Sequence, residues 1–468
     1  MWGLIRWVMG KPRMIVVGLD CATPALVFDR YRDSMPNLRS LIECGTWGPL
    51  RSSDPPITVP AWTCMVSGRD PGELGLYGFR NRIVGATGLR IADSCDVHVK
   101  RVWDWLGDHG FRVAPLFVPL TSPPSPVRGE MISGFMSQSG DAPWCFPRSL
   151  ATEIEGRFGR YIPDVEHFRS DDLERIHEEI HTMTHQHFDI AEYIWVEKKP
   201  DFMMMVEIGL DRFHHAFWRH IDPEHPKHEP GNRWSDSGRE YYTLLDEEIG
   251  KLRELADDDT TFLVVSDHGA RAMRGGFCIN EWLIRREYLV LKDPPSAVSP
   301  LTHDRIDWSQ TVAWAEGGYY ARIFLNVAGR EPEGRVSPHE ATALTNRLQR
   351  QLDALRDDEG CELPTVVRNP KEHYRETRGF PPDLMVYFDD LSLRAIGSVG
   401  HGRLIVTEND IGPDTCNHDW NGIFVMSGGG VPARGRVEGA EIHDVTPTIL
   451  SVFGVERPPG ILGRDWTA

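Results

Sequence analysis

At 468 residues, 40% hydrophobic and 26% charged, the chain has enough apolar material for a large core with insertions, or for two to three domains. Its 51 basic residues against 69 acidic ones give a formal charge of −18, which argues against nucleic-acid polymers and anionic membranes as partners. Eight scattered cysteines without a CxxC pair support neither a zinc ribbon nor a disulfide framework.

The opening "MWGLIRWVMGKPRM" is apolar, but Arg6 interrupts it and no small-residue cleavage site follows, so no signal peptide is expected. No apolar run approaches the ~20 residues of a membrane helix, and a soluble cytoplasmic protein is the expectation. "MIVVGLD" reads as a buried strand ending in Asp20, and "MPNLRSLIECG" as a helix stopped by Gly45. In "ITVPAWTCMVSG" a helix is expected from Pro60, with Thr58 on the turn before it. "RVWDWLGDHGF" and "RVAPLFVPL" read as helix then strand, and the Pro-, Ser- and Gly-rich residues 120–150 as loop or cap. A long helix over "DDLERIHEEIHTMTHQHFDIAEYIWVEKK" leads to the strand "DFMMMVEIGLD", which ends in Asp211. The helix "REYYTLLDEEIGKLRELAD" leads to "TFLVVSDHGA", a strand that stops on Asp267-His268-Gly269. Strands and helices alternating in this way predict a mostly parallel sheet covered by helices, an α/β fold. Residues 295–400 read as an inserted α+β lobe, with "YYARIFLNV" and "DLMVYF" as strands around the helix "HEATALTNRLQRQLDAL". The chain thus divides into a catalytic core with cap insertions at 13–294, the lobe at 295–400 and a return to the core at 401–468. "NGIFVMSGGGV" is the last strand and "VTPTILSVFGV" the last helix.

Three apolar strands ending in Asp20, Asp211 and Asp267 would put three carboxylates on one edge of a parallel sheet. Asp211 and His215 are spaced i and i+4, so on a helix they reach one cation together, with His214 as a competitor and His220 at the surface. His268 follows Asp267 directly, Gly269 allows a sharp turn beside the ion, and His418 precedes the last strand. Six mixed Asp and His ligands suit zinc or a related first-row ion and suffice for two ions, an arrangement fit for attack on phosphorus. Thr58 is the candidate nucleophile, since coordination to a cation lowers a hydroxyl's pKa and a helix N-terminus favours phosphate. Its alternative reading is a helix cap.

The chain resembles the alkaline phosphatase superfamily, and within it the type I phosphodiesterase/nucleotide pyrophosphatase branch and its bacterial phosphohydrolase or phosphomutase relatives. The motifs that carry the resemblance span nearly the whole chain: "GLD", "TVPAW…SGRDPGELGLYGF", "DRFHHAFW", "SDHG", "GGFCINEWL", "NVAGREPEG", "HDWNGIF" and "DVTPTIL…GR". The resemblance implies a three-layer sandwich with a central, mostly parallel sheet and an inserted smaller lobe. It implies one metal on Asp20, Thr58, Asp267 and His268, a second on Asp211, His215 and His418, and Thr58 as the phosphorylated nucleophile. The ions would be two divalent cations, zinc first and manganese as the alternative.

The turn Thr58-Val59-Pro60-Ala61-Trp62 lacks the Cys or Ser and the Arg of the sulfatase pattern. Where relatives hold a phosphate oxygen with Asn, this chain has "GFRNR", so Asn81 is the candidate, with Arg80 or Arg82 as rivals. Asp419 stands where many relatives have another residue. The aromatic residues Trp103, Trp105, Phe135, Trp144, Tyr319 and Tyr320 read as core. The expected activity is hydrolysis of a small phosphorylated substrate, a phosphodiester or a nucleotide-linked compound. The alternatives are a phosphomonoesterase or phosphomutase on the same site, and a non-catalytic binder of phosphorylated ligands.

Overall fold

Met14–Leu19 forms the centre of the molecule because an apolar strand with both neighbours parallel is buried on both faces. It runs between Phe202–Glu207 and Thr261–Val265, with Gly18 opposite both Val206 and Val265. The structure, a computed structural model, describes residues 11–83, 88–136 and 142–467. The first ten residues of the segment read as lacking a signal peptide, and part of the 120–150 stretch, lie outside the described residues.

The main sheet has ten strands. From the central strand it extends through Phe202–Glu207 to Val113–Val118 and then, against expectation, into the 120–150 region, where Met131–Ser133 and Cys145–Phe146 add two short edge strands. On the other side Thr261–Val265 is followed by the antiparallel Asn421–Gly428 and then by Thr46–Arg51. Because Asn421–Gly428 runs backwards, it enters the sheet at the edge where its parallel neighbours leave. One edge therefore receives the segments after Leu19, Arg51, Glu207 and Val265 and the segment before Asn421. Helices cover the sheet: Pro36–Glu43 meets Asn421–Gly428, Val102–Asp108 meets Val113–Val118, and Leu173–Tyr193 meets Phe202–Glu207. Among the described residues no helix is long and apolar enough to cross a membrane.

A second, seven-stranded sheet includes Ala313–Glu316, Ala321–Leu325, Leu384–Phe388, Leu393–Ile396, Gly275–Cys278 and Ile405–Val406, with the helix Pro338–Asp353 packed on it. Its strands reach beyond 295–400 on both sides. Several contacts tie this sheet to the rest of the molecule. Gly269–Ala272 pairs antiparallel with Cys416–Asp419, and Arg82 reaches from a short hairpin to Glu331. Arg82 was a rival to Asn81 for holding a phosphate oxygen. It is instead almost fully buried, donating to Glu331 at 2.9 Å and lying over Phe380 at 4.2 Å.

Removing one partner of a buried ion pair strands the other charge, at a cost of about 3–5 kcal/mol. Glu331→Ala is accordingly expected to lower the denaturant midpoint of unfolding clearly, and an unchanged midpoint would remove this pair from the account of how the two sheets are held.

Candidate active site

Asp20, Thr58, Asp211, His215, Asp267, His268 and His418 meet at the sheet edge described above, each with at most 2% of its surface exposed. Asp20 directly follows Leu19, and its amide donates to Glu207. Its placement depends on Trp62, whose Nε1 donates to Asp20 Oδ2 at 2.7 Å. The Trp62 ring lies so close to the strand that a Cβ on Gly18 would sit 2.4 Å from it, which is why the strand carries glycine one turn of pleat before its aspartate. Asp267 and His268 follow Val265. Gly269 is needed here for space and not for a turn: a Cβ would lie 2.3 Å from the Asn421 carbonyl.

The strand before Asp211 ends at Glu207, not at the aspartate as read from sequence. Asp211 lies in the first turn of the helix Gly209–Ile221 with His215 one turn on, and their Oδ1 and Nε2 atoms are 3.3 Å apart. His214 turns to the Tyr242 hydroxyl at 3.2 Å, and burial pushes its pKa down to about 3. His418 sits in Cys416–Asp419, opposite Ala270, with its Nε2 3.7 Å from Asp211 Oδ1. Thr58 is the first residue of the helix Thr58–Ser67, two residues earlier than the start expected at Pro60, with Ile57 as the N-cap. Its Oγ1 is 3.3 Å from His268 Nε2. The first amides of a helix have no acceptor within it, so those of Thr58 and Val59 are open to an anion.

Six of the seven residues fall into two groups whose ligand atoms converge, with Thr58 beside them. Asp20, Asp267 and His268 form one, and Asp211, His215 and His418 the other. The three imidazoles point the same way chemically. His418 Nδ1 faces the Pro56 carbonyl at 2.8 Å and His268 Nδ1 faces the Gly269 carbonyl at 3.1 Å. A carbonyl only accepts, so Nδ1 carries the proton and Nε2 presents its lone pair. His215 Nδ1 meets Asp414 at 2.7 Å, the carboxylate–histidine arrangement that orients metal ligands. Asp414 also takes Arg169 at 3.0 Å and Arg394 at 3.5 Å. His215, Asp414 and Cys416 also lie close together, but Asp414 is spent on these partners, so this third group supports the second and does not compete with it.

Burial and the Asp211 charge push the Asp20 carboxyl well above its ordinary value, and burial and Asp20 do the same to Asp267. Burial would raise Asp211 as well, but His215, Arg212 and His418 outweigh it and hold it well below. Burial brings His268 down to about 4, and with the His268 charge it lowers His418 strongly. Asp20 Oδ1, Asp267 Oδ2, Asp211 Oδ1 and His418 Nε2 are all buried without a hydrogen-bond partner. Orphaned carboxylate oxygens and an orphaned lone pair, converging at one edge, are what divalent cations would satisfy.

The model of the type I phosphodiesterase/nucleotide pyrophosphatase family matches residues 14–413. The chain belongs to that family. No curated protein matches it. Among solved structures it is similar to phosphonoacetate hydrolase from Sinorhizobium meliloti bound to phosphonoformate, at 15% identity and TM-score 0.59, over 95% of this chain and 96% of that one. It is also similar to human ectonucleotide pyrophosphatase/phosphodiesterase 5, at 12% identity and TM-score 0.57, over 97% and 98% of the two chains. The murine form in complex with AMP shows 11% identity and TM-score 0.53 over 96% of each. The fold is that of the alkaline phosphatase superfamily, an α/β sandwich on a mostly parallel sheet.

Other residues sit differently from their sequence reading. In this phosphodiesterase-family chain Asn81 is occupied in its own loop: its Oδ1 accepts from the Tyr77 amide at 2.8 Å and its Nδ2 donates to Gly78 at 3.1 Å. Arg80 lines a cavity of about 1360 Å³ that also borders Ile57, Arg169, Arg212, Tyr319 and Arg394. Arg212 is committed to Asp211 at 2.6 Å and to both oxygens of Asp164. Asp419 accepts from the Trp420 amide at 2.6 Å and lies 3.9 Å from Arg271, outside both groups. Of the aromatic residues read as core, Trp103, Phe135 and Tyr320 are buried in core clusters; Phe135 and Tyr320 also line the cavity, as does the partly buried Tyr319. The sequence reading did not find Asp414, Arg169, Arg394 or the tie between Trp62 and Asp20. They lie far apart along the chain, and the one local signal is an Asp four residues before His418.

Asp414→Asn keeps the shape of the His215 support but removes its charge. It is expected to weaken divalent-metal affinity by about 10–100-fold, read by competition with a chelator; an unaltered affinity would strip Asp414 of its orienting role.

Proposed function

We propose that the chain is a metal-dependent phosphoester hydrolase that uses Thr58 as nucleophile and two divalent ions, and that its substrates are phosphodiesters or nucleotide pyrophosphates. The observation that carries this is the Thr58 hydroxyl at a helix N-terminus, 3.3 Å from His268 Nε2 and beside unpartnered carboxylate oxygens. Asp20, Asp267, His268 and Thr58 would hold one ion and Asp211, His215 and His418 the other, with zinc suited to the Asp/His set and manganese the alternative. When bound, such ions supply positive charge that lowers the hydroxyl's pKa and offsets charge on the leaving oxygen.

Thr58 Oγ forms the bond to phosphorus as the bond to the leaving oxygen breaks, and the departing group takes up a proton. Water then cleaves the phosphothreonine and the hydroxyl regains its proton. The open amides at Thr58 and Val59 face the charge that develops on the phosphoryl oxygens. Trp62 holds Asp20, and Asp414 holds His215, so that neither ligand has to reorganise during the reaction. The relatives solved with phosphonoformate and AMP support a small phosphorylated substrate.

A diester needs room for a second organic group and less positive charge than a monoester dianion. The cavity beside Ile57 supplies the room. Arg82 is withdrawn to Glu331, and Arg212 is spent on Asp164 and Asp211. The monoesterase or phosphomutase reading draws on Arg80, exposed at the cavity wall.

Chelator-free protein given zinc or manganese is expected to hold close to two equivalents by elemental analysis, and His418→Ala to lose about one; a clean preparation that binds none would sink the reading. Thr58→Ala is expected to fold, keep most of its metal and lose about three or more orders of magnitude in rate. If it turns over nearly as fast as the parent, water attacks directly. The value of kcat/KM for bis-p-nitrophenyl phosphate is expected to exceed that for p-nitrophenyl phosphate at matched pH and metal. A monoester preference of roughly tenfold, ~1.4 kcal/mol in the barrier, would reverse the assignment.

A further inference from the structure

With Asn81 tied to Tyr77 and Gly78, Tyr319 is a cavity-lining group that touches the cluster of Asp211, His215 and His418. It lies in the turn Gly317-Gly318-Tyr319-Tyr320 between two strands of the second sheet, Ala313–Glu316 and Ala321–Leu325. Its ring stacks on His418, centroids 3.9 Å apart at 26°, and the same residue lines the cavity wall. Its hydroxyl oxygen is 3.1 Å from His215 Nε2. We propose that the Tyr319 hydroxyl is a catalytic hydrogen-bond donor to a nonbridging oxygen of the phosphoryl group, supplied to the core by the second sheet; the inference rests on the phosphoester-hydrolase reading of the site.

The donors and acceptors around the phenol oxygen leave one proton to be placed. Arg169 Nη2 donates to Tyr319 Oη at 2.7 Å. A guanidinium has no acceptor, so this contact uses a lone pair of the phenol oxygen and leaves its O–H to find a partner. Beside it is His215 Nε2. His215 Nδ1 is committed to Asp414, so Nε2 is the ring atom turned toward Asp211 Oδ1 and the cluster. A lone pair on Nε2 that binds a cation can accept nothing more. The phenol proton is then left for an oxygen lodged between the cluster and the cavity, where the phosphoryl group has to lie if Thr58 is to reach it. Arg169 is itself fixed by Asp414 at 3.0 Å, so one carboxylate orients both the imidazole and, through Arg169, the phenol. Preorganisation of this kind makes a neutral donor effective in a closed site.

The test is Tyr319→Phe, which keeps the stacking ring and removes only the hydroxyl. Five quantities are read on the same preparation: melting temperature, metal content by elemental analysis, the dissociation constant of orthovanadate by calorimetry, and kcat and KM for bis-p-nitrophenyl phosphate. The melting temperature and metal content are expected to match the parent, while vanadate binds about tenfold or more weakly, the scale of one lost hydrogen bond to a charged oxygen. The value of kcat is expected to fall by ~10²-fold with little change in KM, as for loss of a donor that acts in the transition state. Replacing Tyr319 by 3-fluorotyrosine, which restores a donor, is expected to restore vanadate binding; a merely structural ring would not distinguish it from Phe. Unchanged vanadate affinity in Tyr319→Phe overturns the proposal, and so does loss of metal, which would make the residue a ligand. A parent that binds vanadate through Tyr319 but hydrolyses no phosphoester supports the donor and refutes the reaction. A parent that hydrolyses diesters and is matched by Tyr319→Phe refutes the donor alone.

Discussion

Three carboxylates buried at one edge of one sheet are the constraint from which the rest of this structure follows. Asp20, Asp211 and Asp267 are each almost fully excluded from water, and each keeps an oxygen without a hydrogen-bond partner. Burying unpaired carboxylates costs several kcal/mol per ion even after relaxation, so a fold that gathers three in one place needs compensating positive charge. Some comes from within the chain, from Arg212 on Asp211. What remains is two pockets of negative charge and nitrogen lone pairs, each of a size and donor type that suits a divalent cation.

The surroundings serve that edge. Trp62 gives its indole N–H to Asp20 from the helix that opens with Thr58, so the candidate nucleophile and one acidic ligand move as a unit. Thr46–Arg51 leads directly toward Thr58, and the antiparallel Asn421–Gly428 pairs with it and brings His418 in from the opposite direction. The second sheet is joined through Gly269–Ala272 with Cys416–Asp419, which places Ala270 opposite His418. Asp414, held by Arg169 and Arg394, then sets the ring of His215. The cavity therefore has one wall from each sheet: Ile57 and Arg212 from the core, and Tyr319, Arg322 and Arg394 from the second sheet.

This division locates variation in function. The phosphoryl end is built on rigid elements whose geometry the sheet fixes. The cavity away from the clusters is lined by Arg80, Phe135, Phe168 and the loops of the second sheet, none of which belongs to either cluster. Such a plan suits a family whose structural relatives are solved with ligands as different as phosphonoformate and AMP.

The sequence by itself determined what local patterns can carry. A short, partly β-branched run such as "MIVVGLD" between helical patterns reads as a strand buried on both faces, and three such runs with acidic residues at or just beyond their ends put those acids on one edge, because parallel strands leave a sheet together. The i, i+4 spacing of Asp211 and His215 fixed their common face as soon as the segment was helical. Only the tertiary structure decided the rest. It showed that Asn81 spends its amide on its own turn and that Arg82 is buried against Glu331, 249 residues away. It put Asp414 behind His215 and Tyr319 over His418. Apart from those of Asn81, these contacts join side chains from separate elements, and a hydrogen bond or ring stack formed across about a hundred residues or more leaves no periodicity in the chain.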